Sequence, residues 1–285
     1  MKIICPMAVR NEEWVLGLSA RAVLRWCDEL VILNHASTDR TEEIIRELQS
    51  EFPGRVGALA DPDPVWHEMA NHQWLLEAAR ERGATHIALV DADEILTGNL
   101  LPHIRGIFDA ARRPGTIVTL PWLCLKDGIS RVHSSGPWGS AEVSVGFQDD
   151  PRFYWKAQGD DAYDFHHRNP MGIEYRKMAP IMDRKSGMIH LQFASDRRLR
   201  AKQALYVCTE VLRWPGRKMA DYAGTVYGHA NARTSDPVLS EWLAEYTDLL
   251  QYLDVSSEPW QERAVLNLIT LHGREKFPQD LFGVA

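Results

Sequence analysis

The sequence of 285 residues predicts an α/β fold: a mostly parallel sheet flanked by helices, an antiparallel extension and C-terminal helices. Three observations predict it. Strand-length apolar runs alternate with helical patterns through the first 90 residues. Those runs are continuously apolar, as in strands covered on both faces, instead of alternating with polar residues. After about residue 120 the regularity gives way to short pieces punctuated by Trp, His, Gly, Pro and Asp.

In order, residues 2–9 (KIICPMAV) read as a strand, and Trp14, Leu18, Ala22 and Trp26, spaced at four, read as the buried face of a helix. Residues 29–34 (ELVILN) form a second strand. Ser37 to Glu42 supply cap residues and an acidic first turn to a helix carrying Ile44, Ile45 and Leu48. Gly54 to Ala60 is a third strand, followed by the irregular Asp61-Pro62-Asp63-Pro64. Residues 68–82 are helical and stop at Gly83, and Thr85 to Val90 is another apolar strand. The β-α-β-α-β-α-β order implies a parallel sheet with right-handed crossovers. Beyond it, AEVSVGF and RFYW read as antiparallel pieces, and residues 197–212 and 239–271 as helical.

With 45% hydrophobic and 25% charged residues the chain matches a globular protein, which excludes collagen-like, low-complexity and wholly disordered readings. No N-terminal apolar run is long enough for a signal core or a span of about 20 residues. Cys5, Cys27, Cys124 and Cys208 show no metal-binding or disulfide spacing, so a cytoplasmic location is expected. The net charge of −7 conceals a basic stretch. Arg176 to Lys218 holds eleven Lys and Arg against Asp183, Asp196 and Glu210, an arrangement of either a solvated helix face or an anion site.

The segment that carries most chemistry is Asp91-Ala92-Asp93-Glu94, directly after the strand THIALV. Carboxylates two apart, just past a parallel strand, stand at the sheet edge where open α/β sheets bind ligands. Hard oxygen donors there suit Mg²⁺ or Mn²⁺ completed by substrate phosphates. An acidic turn is also an ordinary way to leave a strand. No GxSxG elbow and no GxxxxGK[ST] phosphate loop occurs. His166 and His167 with Asp164 do not read as a second metal site, because neighbouring residues on a strand face opposite ways.

Three segments, PMAVRNE (6–12), NHASTDRT (34–41) and DADE (91–94), stand in an order and at intervals that resemble family 2 glycosyltransferases with the GT-A fold. The resemblance covers about residues 1–100. Asn34 stands where that pattern has Asp, and Ala36 and Arg40 where it has Gly. A further stretch, His190-Leu191 with Ser195, Arg198 and Lys202, is similar to one in bacterial members related to lipopolysaccharide core enzymes.

The resemblance implies a metal-dependent, inverting hexosyl- or pentosyltransferase that moves a sugar from a nucleotide-sugar, a UDP-sugar foremost, to a hydroxyl of a glycan or lipopolysaccharide-type saccharide. It implies that Ala8, Arg10, Glu12 and Asn34 surround the base and ribose, and that Asp91 approaches the nucleotide-sugar. Asp93 and His190 would hold Mn²⁺ or Mg²⁺, and Arg198 and Lys202 the diphosphate. The acceptor needs a base; Asp161 is the first choice, with Asp160, Asp164 and Glu142 open beside it. Residues 1–125 would form the nucleotide-sugar-binding half, 126–196 an acceptor-side segment and 197–285 a C-terminal helical segment of one compact fold. Of ten tryptophans, Trp14, Trp26 and Trp74 fall at helical spacings and read as core. Trp122, Trp138 and Trp155 lie on the acceptor side, where an indole can stack on a sugar. The alternatives are transfer to modified nucleic-acid bases, a nucleotidyltransferase, and a non-catalytic sugar-binding protein.

Overall fold

A computed structural model describes residues 1–157, 168–214 and 234–285. The chain divides into two compact units. The first comprises Met1–Trp122, Glu142–Ile189 and Leu239–Asp254; the second comprises Leu123–Ala141, His190–Val238 and Val255–Ala285.

The first unit is the mixed α/β structure expected, a mostly parallel central sheet flanked by helices. Its strands are β1 (Ile3–Val9), β2 (Glu29–His35), β3 (Val56–Asp61) and β4 (His86–Ala88), joined by α1 (Leu16–Val23), α2 (Thr41–Glu51) and α3 (Glu68–Glu81). The parallel order is β3-β2-β1-β4, with Ile4 opposite Glu29, Leu30 opposite Val56 and Ile3 opposite His86. Along the chain β5 (Glu94–Leu96), α4 (Leu101–Ala110), β6 (Thr116–Lys126), β7 (Arg131–His133, in the second unit), β8 (Glu142–Gln148), β9 (Arg176–Met178) and β10 (Met188–His190) follow. β8 runs antiparallel to β4 and to β6, so the antiparallel extension is present, and β9 returns parallel to β6.

The apolar runs are explained by two cores, one on each face. Ile3, Cys5, Met7 and Val9 pack with α1, α2 and α4; Ile4, Val31, Leu33, Ile87 and Leu89 pack with Leu75 and Leu76 of α3. Successive residues of β1 thus bury against opposite layers, which is why polar residues are absent from it.

In the second unit, β7 pairs antiparallel with the end of β6 and with β11 (Ser235–Pro237). There α5 (Asp196–Arg213), capped by Ser195 Oγ, packs its Ala204, Val207 and Cys208 on Val265 of α6 (Trp260–His272).

Three expectations need correction. RFYW is not a strand: only Tyr154 pairs, in a single bridge to Met171, because Phe153 and Trp155 turn inward onto Phe147. Residues 239–271 are not one helix. A four-residue helix Ser240–Leu243 and short 3-10 turns precede α6, whose start is set by Pro259, a residue without an N–H to continue an earlier helix. Trp74 is 39% exposed, whereas Trp14 and Trp26 are buried as expected. The inward face of α3 is Asn71, Leu75, Ala78 and Ala79, and Trp74 falls on the outer row with Ala70, Glu77 and Glu81.

Candidate active site at the edge of the parallel sheet

Beyond the C-terminal ends of β1 and β2, the first two motif segments are laced together. Asn11 N–H donates to Ser37 Oγ at 3.0 Å, and Thr38 N–H to Asn11 Oδ1 at 2.6 Å. Glu12 N–H donates to Thr41 Oγ1 at 2.9 Å, and Arg40 N–H to Glu13 Oε2 at 3.0 Å. Asn11 and Ala36 both adopt left-handed backbone (φ 55° and 46°), a region where the short polar side chain of Asn is tolerated and Ala carries strain. The Ser-Thr-Asp residues therefore act first as staples that fix the loop after β1. Asn34 Nδ2 donates to Glu42 Oε2 at 2.7 Å, and Arg10 Nη1 to the Pro64 carbonyl at 2.7 Å. Trp14 Nε1 donates to Glu12 Oε2 at 2.7 Å. His35, fully buried at the end of β2, places Nε2 3.1 Å from the Val65 carbonyl and its ring edge-on to Trp66; burial lowers its pKa.

Past β4 the chain makes the DADE turn. Glu94 N–H donates to the Asp91 carbonyl at 3.0 Å, and Asp91 N–H to Glu94 Oε2 at 3.0 Å, so the Glu94 side chain closes the turn on itself. Glu94 is fully buried and Asp93 is 4% exposed, while the Asp91 side chain is 64% exposed. What compensates these carboxylates is Arg168, 77 residues downstream of Asp91. Its Nη1 donates to Asp91 Oδ2 at 2.9 Å and Glu94 Oε1 at 3.1 Å, and its Nη2 to Glu94 Oε2 at 2.5 Å. Nη2 also reaches the Leu89 carbonyl and Nε the Ser144 carbonyl, each at 2.7 Å. Burial opposes the Arg168 charge, but Asp91, Glu94 and Asp93 together push its pKa further above the ordinary guanidinium value. Trp122 Nε1 completes Glu94 by donating to Oε1 at 2.9 Å. Beneath the turn, burial and the Asp91 charge push the Cys5 thiol well up.

Among the described residues, no group of three or more His, Cys, Asp and Glu side chains is placed to hold a metal ion. The turn nonetheless fits a hard divalent cation of the Mg²⁺ or Mn²⁺ type, which binds proteins through one or two carboxylates and takes the rest of its shell from phosphate and water. Asp91 and Asp93 are carboxylates of that kind, the first exposed and the second buried.

The structure brings Asp91, Asp93 and Trp122 into the DADE neighbourhood and places Ala8, Arg10, Glu12 and Asn34 at the ends of β1 and β2. Trp155 is 4% exposed and stacks on His72; it lines, with Trp74, Gln73, Glu77 and Lys156, a groove of about 360 Å³. Glu142 is exposed at the start of β8. Asp160, Asp161 and Asp164 lie outside the described residues, as do His166 and His167. His190, Arg198, Lys202 and Trp138 belong to the second unit. There His190 and Trp138 meet Phe193 edge-on, Arg198 Nη2 donates to the Ser257 carbonyl at 3.0 Å, and Lys202 Nζ to Gln192 Oε1 at 3.4 Å. In the basic stretch, Arg197 pairs with Glu262 and Arg200 with Asp196, so part of its positive charge is neutralised within the second unit. Sequence reasoning missed Arg168 and the closing role of Glu94. Glu94 was legible as the fourth residue of DADE; nothing in the sequence marks Arg168.

No family model and no curated protein matches this chain. Among solved structures, that of S. aureus TarS residues 1–349 in complex with UDP-GlcNAc aligns at 15% identity and a TM-score of 0.34, covering 45% of this chain and 35% of that one. The mannosyltransferase PcManGT from Pyrobaculum calidifontis in complex with GDP-Man and Mn²⁺ aligns at 14% identity and 0.42, covering 95% and 76%. A 4-diphosphocytidyl-2C-methyl-D-erythritol synthase aligns at 16% and 0.33, covering 52% and 75%. The chain thus spans about a third of the TarS fragment, and at these values the chemistry of the chain is left to its own residues.

Proposed function

We propose that this chain is a divalent-cation-dependent, inverting glycosyltransferase that moves a hexosyl or pentosyl group from a nucleotide-sugar, a UDP-sugar foremost, to a saccharide hydroxyl of a glycan or lipopolysaccharide type. The observation that carries the reading is the DADE turn: three carboxylates within four residues, at the carboxyl edge of a parallel β3-β2-β1-β4 sheet, beside two interlocked βα loops. That edge is where open α/β sheets bind nucleotides. Three carboxylates face one arginine, and the remaining negative charge would repel a dianionic donor unless a cation stands between them.

In this reading Asp93, with Asp91, holds Mn²⁺ or Mg²⁺, which when bound offsets the charge developing on the departing diphosphate. Arg10, Glu12 and Asn34 line the approach of base and ribose. Asp161 takes the proton of the acceptor hydroxyl as it attacks the anomeric carbon from the face opposite the diphosphate, with Asp160, Asp164 and Glu142 as its rivals. Glu94 does not touch substrate: both its oxygens already accept two donors each, and it keeps the turn rigid.

Thermal unfolding across a panel of sugar nucleotides, with and without Mn²⁺, tests the reading. A donor at about 100 times its Kd adds about 2.7 kcal/mol, roughly 4–5 °C in Tm for a protein of this size, and the gain should require Mn²⁺. A panel with no metal-dependent shift sinks the proposal. Release of pyrophosphate from a nucleoside triphosphate would instead identify a nucleotidyltransferase.

A further inference from the structure

The five Arg168 contacts divide into two kinds. Nε and Nη2 are anchored in the interior, on the Ser144 and Leu89 carbonyls and on fully buried Glu94. Nη1 alone reaches outward, from Glu94 Oε1 to the exposed carboxylate of Asp91. The guanidinium side chain is itself only 20% exposed, and the anchored edges fix it whether or not the Asp91 bond is made. A positive charge is therefore built into the wall of the site within hydrogen-bond distance of one of the two carboxylates a divalent cation would use. Like charges a few ångströms apart repel, and the cation brings two.

We infer that Arg168 is a resident rival of the divalent cation: it holds Asp91 by a bond the ion must displace, and its fixed charge keeps the bare ion weakly bound until phosphate oxygens join the shell. The inference rests on the cation part of the reading above. Arg168 is on this account a positioning residue, setting the order in which ion and donor load.

The test is Mn²⁺ alone, titrated into the full chain by calorimetry with free Mn²⁺ followed by electron paramagnetic resonance. R168Q removes the charge and keeps a shorter, neutral amide donor, and should bind Mn²⁺ at least about tenfold tighter than the wild type, which is about 1.4 kcal/mol. R168K keeps the charge but cannot fork between Asp91 and Glu94, and should fall between the two. A merely structural arginine gives the opposite sign, because loosening the turn weakens any ion that it holds. Equal or weaker Mn²⁺ binding by folded R168Q overturns the inference, and so does loss of cooperative unfolding in both R168Q and R168K. If R168Q gains Mn²⁺ affinity while the sugar-nucleotide panel shows nothing, the inference stands and the glycosyltransferase reading falls; if the panel responds and R168Q gains nothing, the reverse holds.

Discussion

Asp93 and Glu94 are neighbours in sequence, and the proposed function gives them different work. Asp93→Ala should leave the fold cooperative and lower metal-dependent turnover by at least about 10²-fold, the scale of removing one electrostatic stabiliser. A sugar-binding protein without catalysis would show no such loss, so initial rates of diphosphonucleotide release in the variant decide between the two. The two carboxylates could not be told apart in the sequence, since DADE presents three acids of equal standing. The Asp91 amide, the Trp122 indole and Arg168 single out Glu94 by occupying both its oxygens, while the Asp91 side chain stays exposed. Arg168 itself left no trace in the sequence, because a single arginine between a histidine pair and an Asn-Pro carries no period or spacing.

Among elements, the loops after β1 and β2 were legible as motifs but not as a mutual support. Asn11, 7% exposed and at φ 55°, both accepts from Thr38 N–H and donates to Ser37. Asn11→Ala should cost about 1–3 kcal/mol, the range for leaving a buried partner unsatisfied, and Asn11→Gly should cost less, because it removes the left-handed strain while losing the same side chain. Chemical denaturation of the two variants side by side measures the difference. Gly146 in β8 is a second such point: at φ 152° a Cβ there would stand 2.3 Å from the Ile87 carbonyl and 2.5 Å from the Phe108 ring. Gly146→Ala should therefore destabilise by several kcal/mol, at the exceptional end for single substitutions, and be seen as loss of soluble folded protein or a steep fall in Tm. Helical periodicity failed for Trp74 and for residues 239–271 because it reports which residues share a stripe, whereas which stripe faces a partner depends on the partner. Strand prediction failed at RFYW because apolar side chains can be drawn inward without a ladder.

Across the whole molecule, buried ionisable groups set the response to pH. Burial lowers the pKa of His35, His86 and His133, which are 0%, 8% and 3% exposed. In the unfolded chain these imidazoles take up protons near their ordinary value of about 6.5, before the folded ones do. The unfolded state then binds more protons, so stability is full above that value and falls as the pH drops below it, by up to about 1.4 kcal/mol per pH unit for each histidine. Thermal unfolding followed from pH 8 to pH 5 should show a decline in Tm beginning near 6.5; a Tm that is flat or rises over that interval contradicts the assignment. All four cysteines are free and buried, and no helix among the described residues is long and apolar enough to cross a membrane.

The sequence by itself determined the parallel sheet and its crossovers, because a strand covered on both faces must be apolar throughout and a helix between parallel strands must return to the same edge. It likewise determined that acidic residues and two polar loops meet at that edge, since strand ends share a position by topology alone. Only the tertiary structure decided which carboxylate is spent on the turn, which stays exposed, and which arginine stands against them. Those assignments depend on side chains brought together across 77 residues, at distances of 2.5 to 3.1 Å that no local pattern encodes.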